Sequence, residues 1–318
     1  MASLRRGQEH PSGADARTDQ LPPSVALDSQ SLLFGNYTEL FDLPSIEISD
    51  DYYERGYATV PDIPDSETAA VVAAQLIAGL DTARLPELQR FAGKIDLAKA
   101  DHIPVCDDIV GTEFQILHFD MGLPAAPLED DSMWITHVGI YLPKSTEHPV
   151  AARSRLLPLT GLLAHAGLSA SAMEEALLSY AQQCGDGWGK VNTGRLACFA
   201  RVLDAVRGTR ELAHEIDKPV GQWFRSDQRL DSASAYELER EYYASKGIDL
   251  TASEIQVALQ PGELLLLDNA RVVHGRIGHR REREIANFMF GVQNVTPADV
   301  AELRRTVVNA LGTTKRDL

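Results

Sequence analysis

The segment FQILHFDMG, residues 114–122, places His118 and Asp120 two positions apart within an apolar run. A second segment, PGELLLLDNARVVHGR at 261–276, carries another apolar run that ends near His274. Imidazole nitrogen and carboxylate oxygen both bind divalent first-row metals. Residues i and i+2 of a strand project from one face, so His118 and Asp120 can share an ion while Phe119 packs on the other side. Taken alone, the pair reads first as a strand-end histidine beside a solvated aspartate. The distal His274 shifts that balance: two histidines and one carboxylate cap one face of an octahedral Fe(II) and leave three positions open, the facial triad of non-haem iron oxygenases. Zinc more often takes four ligands, with sulfur or further histidine among them.

Such ligands need rigid strands to hold them. SIEISDDY, TEFQILHFD, MWITHVGIYLP, EIQVALQ, ELLLLD, RVVHGR and EIANFMFGVQ are short, rich in branched and aromatic residues, and bounded by Pro, Gly, Asp or Asn, so each predicts a strand. The four leucines 264–267 predict a strand buried on both faces. Helices are predicted at 67–80, starting from Ser66, and at 297–312, with Thr296 as N-cap and Pro297 at N1. Further helical segments fall at about 155–250, the last of them AYELEREYYASKG. Two β-rich blocks separated by a helical insertion predict a mainly β protein, a double-sheet barrel with flanking α-helices.

Composition bounds the setting. Of 318 residues, 44% are hydrophobic and 24% charged, and no apolar run is long enough to span a bilayer, so the sequence reads as one soluble domain over 25–318 behind a disordered polar tail at 1–24. A formal charge of −16 repels polyanions and argues against nucleic acid or an anionic membrane as partner. Cys106, Cys184 and Cys198 form no CxxC pair and read as reduced core thiols, which suits the cytoplasm. The segment WGKVNTGR lacks the P-loop pattern, and no GxSxG or Cys/His nucleophile arrangement stands out.

HFD, a long interval, then LLLLDNARVVHGR followed by arginines and a terminal strand resembles the Fe(II)/2-oxoglutarate-dependent dioxygenases, most closely the taurine dioxygenase and clavaminate synthase branch. The likeness covers about 110–122 and 261–292. It implies a double-stranded β-helix (jelly-roll) core, Fe(II) bound by His118, Asp120 and His274, and 2-oxoglutarate and O2 as co-substrates. It also implies an arginine shortly after the distal histidine for the C5 carboxylate of 2-oxoglutarate, a role that suits the bidentate guanidinium. Arg283 is the choice here: it begins the apolar run 284–292 and shares strand parity with Ile285, Asn287 and Met289, whereas Arg280 and Arg281 fall in a hairpin. The loop before it is shorter than is common in that branch. The competing reading pairs these arginines with Glu282 and Glu284 in a solvated turn. Chlorinating members replace the carboxylate ligand with Gly or Ala, so Asp120 implies hydroxylation, desaturation or cyclisation.

Other residues carry two readings each. Arg276 shares a strand face with His274 and either meets an anionic substrate group or pairs with an acid. Arg225, in GQWFRSDQRLD, either binds a substrate carboxylate or makes a salt bridge. Asp268 and Asn269 read first as turn formers and second as partners orienting His274. His137 reads as a core histidine, with Trp134, Thr136 and Val138 on one strand face and Ile135, His137 and Gly139 on the other. The loop 121–132 is a lid or a plain surface loop. The substrate expected from the resemblance is a small molecule with an anionic group, an amino acid or a biosynthetic intermediate. Two other classes fit the ligand set: a non-catalytic, cupin-like metal-binding jelly roll that serves as a sensor or binding protein, and a zinc-dependent hydrolase.

Overall fold

The computed structural model describes residues 48–105, 114–120, 134–144, 153–160, 162, 232–245, 247–277 and 283–312. The 1–24 tail, the 121–132 loop, Arg225, Arg280, Arg281, the three cysteines and most of the expected helical insertion lie outside the described residues.

The described residues begin with α1 (Asp50–Arg55), β1 (Tyr57–Val60) and α2 (Ser66–Ala78), pass a 3-10 turn at Pro86–Phe91, and enter β2 (Asp96–Val105). Strands β3 (Phe114–His118), β4 (Trp134–Tyr141) and β5 (Arg153–Pro158) precede α3 (Ser232–Ser245) and the short α4 (Leu250–Ser253). Then come β6 (Ile255–Val257), β7 (Leu264–Asp268), β8 (Val272–Ile277), β9 (Arg283–Val292) and α5 (Pro297–Gly312). The strands form two antiparallel sheets, a larger one in the order β1-β7-β4-β9-β2 and a smaller one in the order β3-β8-β5-β6. From β2 onward the chain passes between them, with β2, β4, β7 and β9 in one sheet and β3, β5, β6 and β8 in the other. That alternation is the double-stranded β-helix.

Two apolar clusters follow from side-chain alternation. Val138, Leu265, Leu267 and Ile285 of the larger sheet pack with Leu156 and Val272 of the smaller one, filling the space between the sheets. The opposite faces, including Leu264, Leu266, Phe288 and Phe290, join a second cluster with α1 and α2. All four leucines of β7 are fully buried, so this strand is covered on both faces as its sequence predicts.

Several expectations give way to local geometry. SIEISDDY is not a strand where it is described: Asp50 begins α1, whose first turn carries Asp50 and Asp51, whose last turn carries Arg55, and which ends at Gly56 with φ 81°. The charges complement the helix dipole and the glycine supplies the left-handed cap. A Cβ on Gly56 would also lie 2.7 Å from Val272 Cγ2. Helix α2 does start at Ser66, with Asp65 before it as cap, its carboxylate accepting from Thr68 N at 2.7 Å. Thr296 caps α5 reciprocally with Asp299: Asp299 N donates to Thr296 Oγ1 at 3.2 Å, and Thr296 N donates to Asp299 Oδ2 at 2.9 Å. Strands β1, β2 and β5 have no counterpart among the predicted ones, and β5 occupies the start of the expected helical insertion. A register shift between Ile135 and His137 breaks the alternation expected in β4. As a result Ile135 joins Val138 between the sheets, while Trp134 packs in the outer cluster. Among the described residues no helix is long and apolar enough to cross a membrane.

Candidate metal centre

Strands β3 and β8 run antiparallel with His118 directly opposite His274, and opposed residues share a face. The two rings lie 4.5 Å apart, centroid to centroid. Asp120 follows the end of β3 and turns its carboxylate to both: Oδ1 is 3.5 Å from His118 Nε2 and Oδ2 is 3.2 Å from His274 Nε2. One ligand atom from each residue falls within 4.8 Å of the others. Both histidines are buried, and Asp120 is half-buried. Phe119, between the ligands, is buried in the outer cluster, as alternation requires.

The backbone of Asp120 is held by Asn269. Its Oδ1 accepts from Asp120 N at 3.0 Å, and its Nδ2 donates to Asp120 O at 3.0 Å and to Ile135 O at 2.9 Å. Asn269 N donates to Thr136 O at 2.8 Å. This side chain therefore holds the Asp120 backbone rather than His274, because the β7–β8 turn passes beside the end of β3. Asp268 acts as a turn former: its Oδ1 accepts from Ala270 N at 2.9 Å.

Burial pulls the Asp120 carboxyl upward, but the neighbouring His274 and His118 imidazoles outweigh it and hold the group well below the usual carboxylate range. Burial pushes His274 down, aided by His118 and opposed by Asp120. An ionised carboxylate and a neutral imidazole are the states in which these groups bind metal. The donor set therefore fits a divalent cation of the two-histidine, one-carboxylate type. Among the described residues, His274 Nδ1 is buried without a hydrogen-bond partner. With Nε2 aimed at the carboxylate, it is the ring's other nitrogen that stays unpaired.

The remaining candidates separate. Arg276 is half-buried in β8, two residues past His274 and opposite Gln115 of β3 and Ser154 of β5. Arg283 opens β9 opposite Val105, in strand parity with Ile285 and Met289, which belong to the cluster between the sheets; its side chain is not among those described. His137 is fully buried, with Nδ1 2.8 Å from Thr136 Oγ1 and its ring stacked near Tyr52 of α1. Burial, with the charge of Arg271, pushes this imidazole down to about 3. It takes no part in the triad.

Two features escaped the sequence reading. Asn287 follows the parity of Ile285 and Met289, and its Oδ1 is buried without a partner among the described residues. A lone polar residue in an apolar strand face was the available signal. Arg155 is fully buried on β5 and bound to two glutamates, and nothing in its local sequence marks it.

No protein-family model matches the sequence, and no curated protein matches it. Solved structures similar to this chain include asparagine oxygenase, at 16% identity over 78% of this chain and 80% of that chain, with a TM-score of 0.35. They also include the non-haem iron oxygenase OrfP in complex with Fe and alpha-ketoglutaric acid, at 12% identity over 77% of each chain, TM-score 0.34. A third is the Kdo hydroxylase KdoO, a non-haem Fe(II) alpha-ketoglutarate-dependent dioxygenase in complex with succinate and Fe(III), at 13% identity over 76% of this chain and 66% of that one, TM-score 0.29. At these identities and scores, the case for the site rests on its own geometry.

Proposed function

We propose that the protein is an Fe(II)/2-oxoglutarate-dependent oxygenase that hydroxylates, desaturates or cyclises a C–H of a small molecule, with His118, Asp120 and His274 as its iron ligands. The observation that carries this reading is the convergence of two imidazole nitrogens and one carboxylate oxygen within 4.8 Å. Bound there, Fe(II) would supply the activation of O2, coupled to cleavage of 2-oxoglutarate into succinate and CO2.

The chain's own residues do the rest. Asn269 holds the backbone that aims Asp120. Arg283 is the proposed partner of the C5 carboxylate of 2-oxoglutarate, reached from the first position of β9. Arg276 and Arg225 are the proposed contacts for an anionic group on the substrate, an amino acid or a biosynthetic intermediate, in the cytoplasm. The apolar wall built by Leu156, Leu265 and Leu267 excludes water from the inner end of the barrel.

The test is succinate release from 2-oxoglutarate by the Fe(II)-loaded protein across a panel of amino acids, with and without O2. O2-dependent succinate that disappears in His118→Ala and Asp120→Ala supports the reading. Turnover of a substrate that survives without O2 would instead point to a zinc hydrolase. Absence of 2-oxoglutarate affinity by calorimetry with Mn(II) present would point to a cupin-like binding protein.

A further inference from the structure

Behind the proposed ligands, on the other face of the smaller sheet, lies a buried ionic network. The Arg155 side chain is fully buried, with the Glu239 and Glu254 side chains 6% and 2% exposed. Arg155 Nη1 donates to Glu239 Oε2 at 2.6 Å, while Nε and Nη2 donate to Glu254 Oε2 at 3.0 and 2.6 Å. Two further bonds reach the ligand strand: Leu117 N donates to Glu239 Oε1 at 2.9 Å, and Arg155 Nη1 donates to Gln115 O at 3.3 Å.

These two backbone groups belong to the stretch of β3 where its pairing with β8 slips, between Gln115 and His118. A slipped ladder leaves peptide groups to be satisfied by other means, and a buried unsatisfied one is costly. Here a helix side chain and a strand side chain supply them. The route for Arg155 passes over β8 at Gly275, its register partner, where no side chain obstructs the path from β5 to β3. Gly275 directly follows His274. The network therefore touches the strand of one proposed metal ligand one residue before that ligand, and crosses the strand of another one residue after it.

We propose that Glu239, held in place by Arg155, is a positioning residue for the metal centre: it pins the β3 backbone at Leu117 and thereby sets His118 and Asp120 against His274. This rests on the reading of those three residues as a metal site. Buried ion pairs contribute little net stability compared with apolar replacements, whereas they do fix geometry in some proteins. Glu254 is the internal contrast, since its contact with the same arginine is as short and it makes no bond to β3.

The test uses the full chain, with Co(II) binding followed by visible absorption and amide hydrogen exchange followed over 114–118. Wild-type protein should bind Co(II) and protect Leu117 N–H. Glu239→Ala should weaken Co(II) binding by about ten-fold or more, the size of an outer-shell loss, and speed exchange at Leu117. Glu239→Gln, which keeps an acceptor for that amide, should restore most of the affinity, and Glu254→Ala should stay close to wild type. If Glu239→Ala does not fold, the combined replacement Arg155→Met, Glu239→Leu, Glu254→Leu leaves no buried charge unpaired and should show the same Co(II) loss. Wild-type affinity in Glu239→Ala or in the combined variant, or an equal loss in Glu254→Ala, overturns the proposal while leaving the metal reading intact. Wild-type protein that binds no Co(II) overturns the metal reading, and the positioning role with it.

Discussion

The two faces of the smaller sheet hold polar clusters of different character. On the outer face, Arg155 lies between Glu239 and Glu254 at 2.6 Å from each, so the guanidinium has carboxylates on both sides. On the inner face, His118, Asp120 and His274 aim their ligand atoms at a common point with no cationic side chain among them. The outer cluster balances its guanidinium with carboxylates and bonds to the backbone of β3. The inner cluster could hold a guest of positive charge: its neighbours favour an ionised Asp120 and burial favours a neutral His274, the states that receive one. Side by side, the two clusters contrast carboxylates paired with a guanidinium with a carboxylate facing two imidazoles.

Substitutions can sharpen or break this contrast. The largest effect belongs to the inner face: Asp120→Ala should abolish O2-dependent succinate release and weaken Co(II) binding by more than about 100-fold, beyond the range of outer-shell changes, while the urea midpoint moves little. If the midpoint falls as far as it does for an outer-face variant, the inner cluster is structural. Next comes Arg155→Met, which strands two buried carboxylates and should cost about 3–5 kcal/mol in urea unfolding. Asn269→Ala lies between the faces. It removes three hydrogen bonds around Asp120 and Ile135 and should lower Co(II) affinity by about 10–100-fold with the ligands intact.

A pH dependence belongs to His137, a buried polar residue of neither cluster. Its folded-state pKa of about 3 lies below the ordinary 6.5, so the unfolded chain takes up a proton that the folded chain refuses. The stability from the neutral ring is present above pH 6.5 and is lost as pH falls from there toward 3, by at most about 1.4 kcal/mol per unit. Urea unfolding of His137→Phe at pH 6 and pH 4 should show a shallower fall than wild type. An equal slope would mean the imidazole is solvated in the folded state.

Much of the site was legible because it obeys short-range rules. The i, i+2 spacing of His118 and Asp120, the buried leucine strand and the turn before His274 are all read from local pattern. Arg276 was placed correctly on the face of His274 for the same reason. The errors lie where local pattern meets long-range packing. SIEISDDY alternates like a strand, yet Asp50–Arg55 closes a helical turn against Gly56 and Val272. The alternation in β4 fails at a bulge whose position depends on β9. Asn269, read first as a turn former and second as a partner of His274, bonds instead to the backbone of Asp120, at a strand end 149 positions earlier in the chain.

The sequence alone marked His118, Asp120 and His274 as candidate metal ligands and put both histidines on strands, because ligand chemistry and side-chain alternation are properties of a few neighbouring residues. Only the tertiary structure decided that His118 stands opposite His274, that Asn269 grips Asp120, and that Arg155 finds Glu239 and Glu254 across 84 and 99 positions of chain. Those pairings come from how two sheets and a helix pack. No local periodicity encodes them.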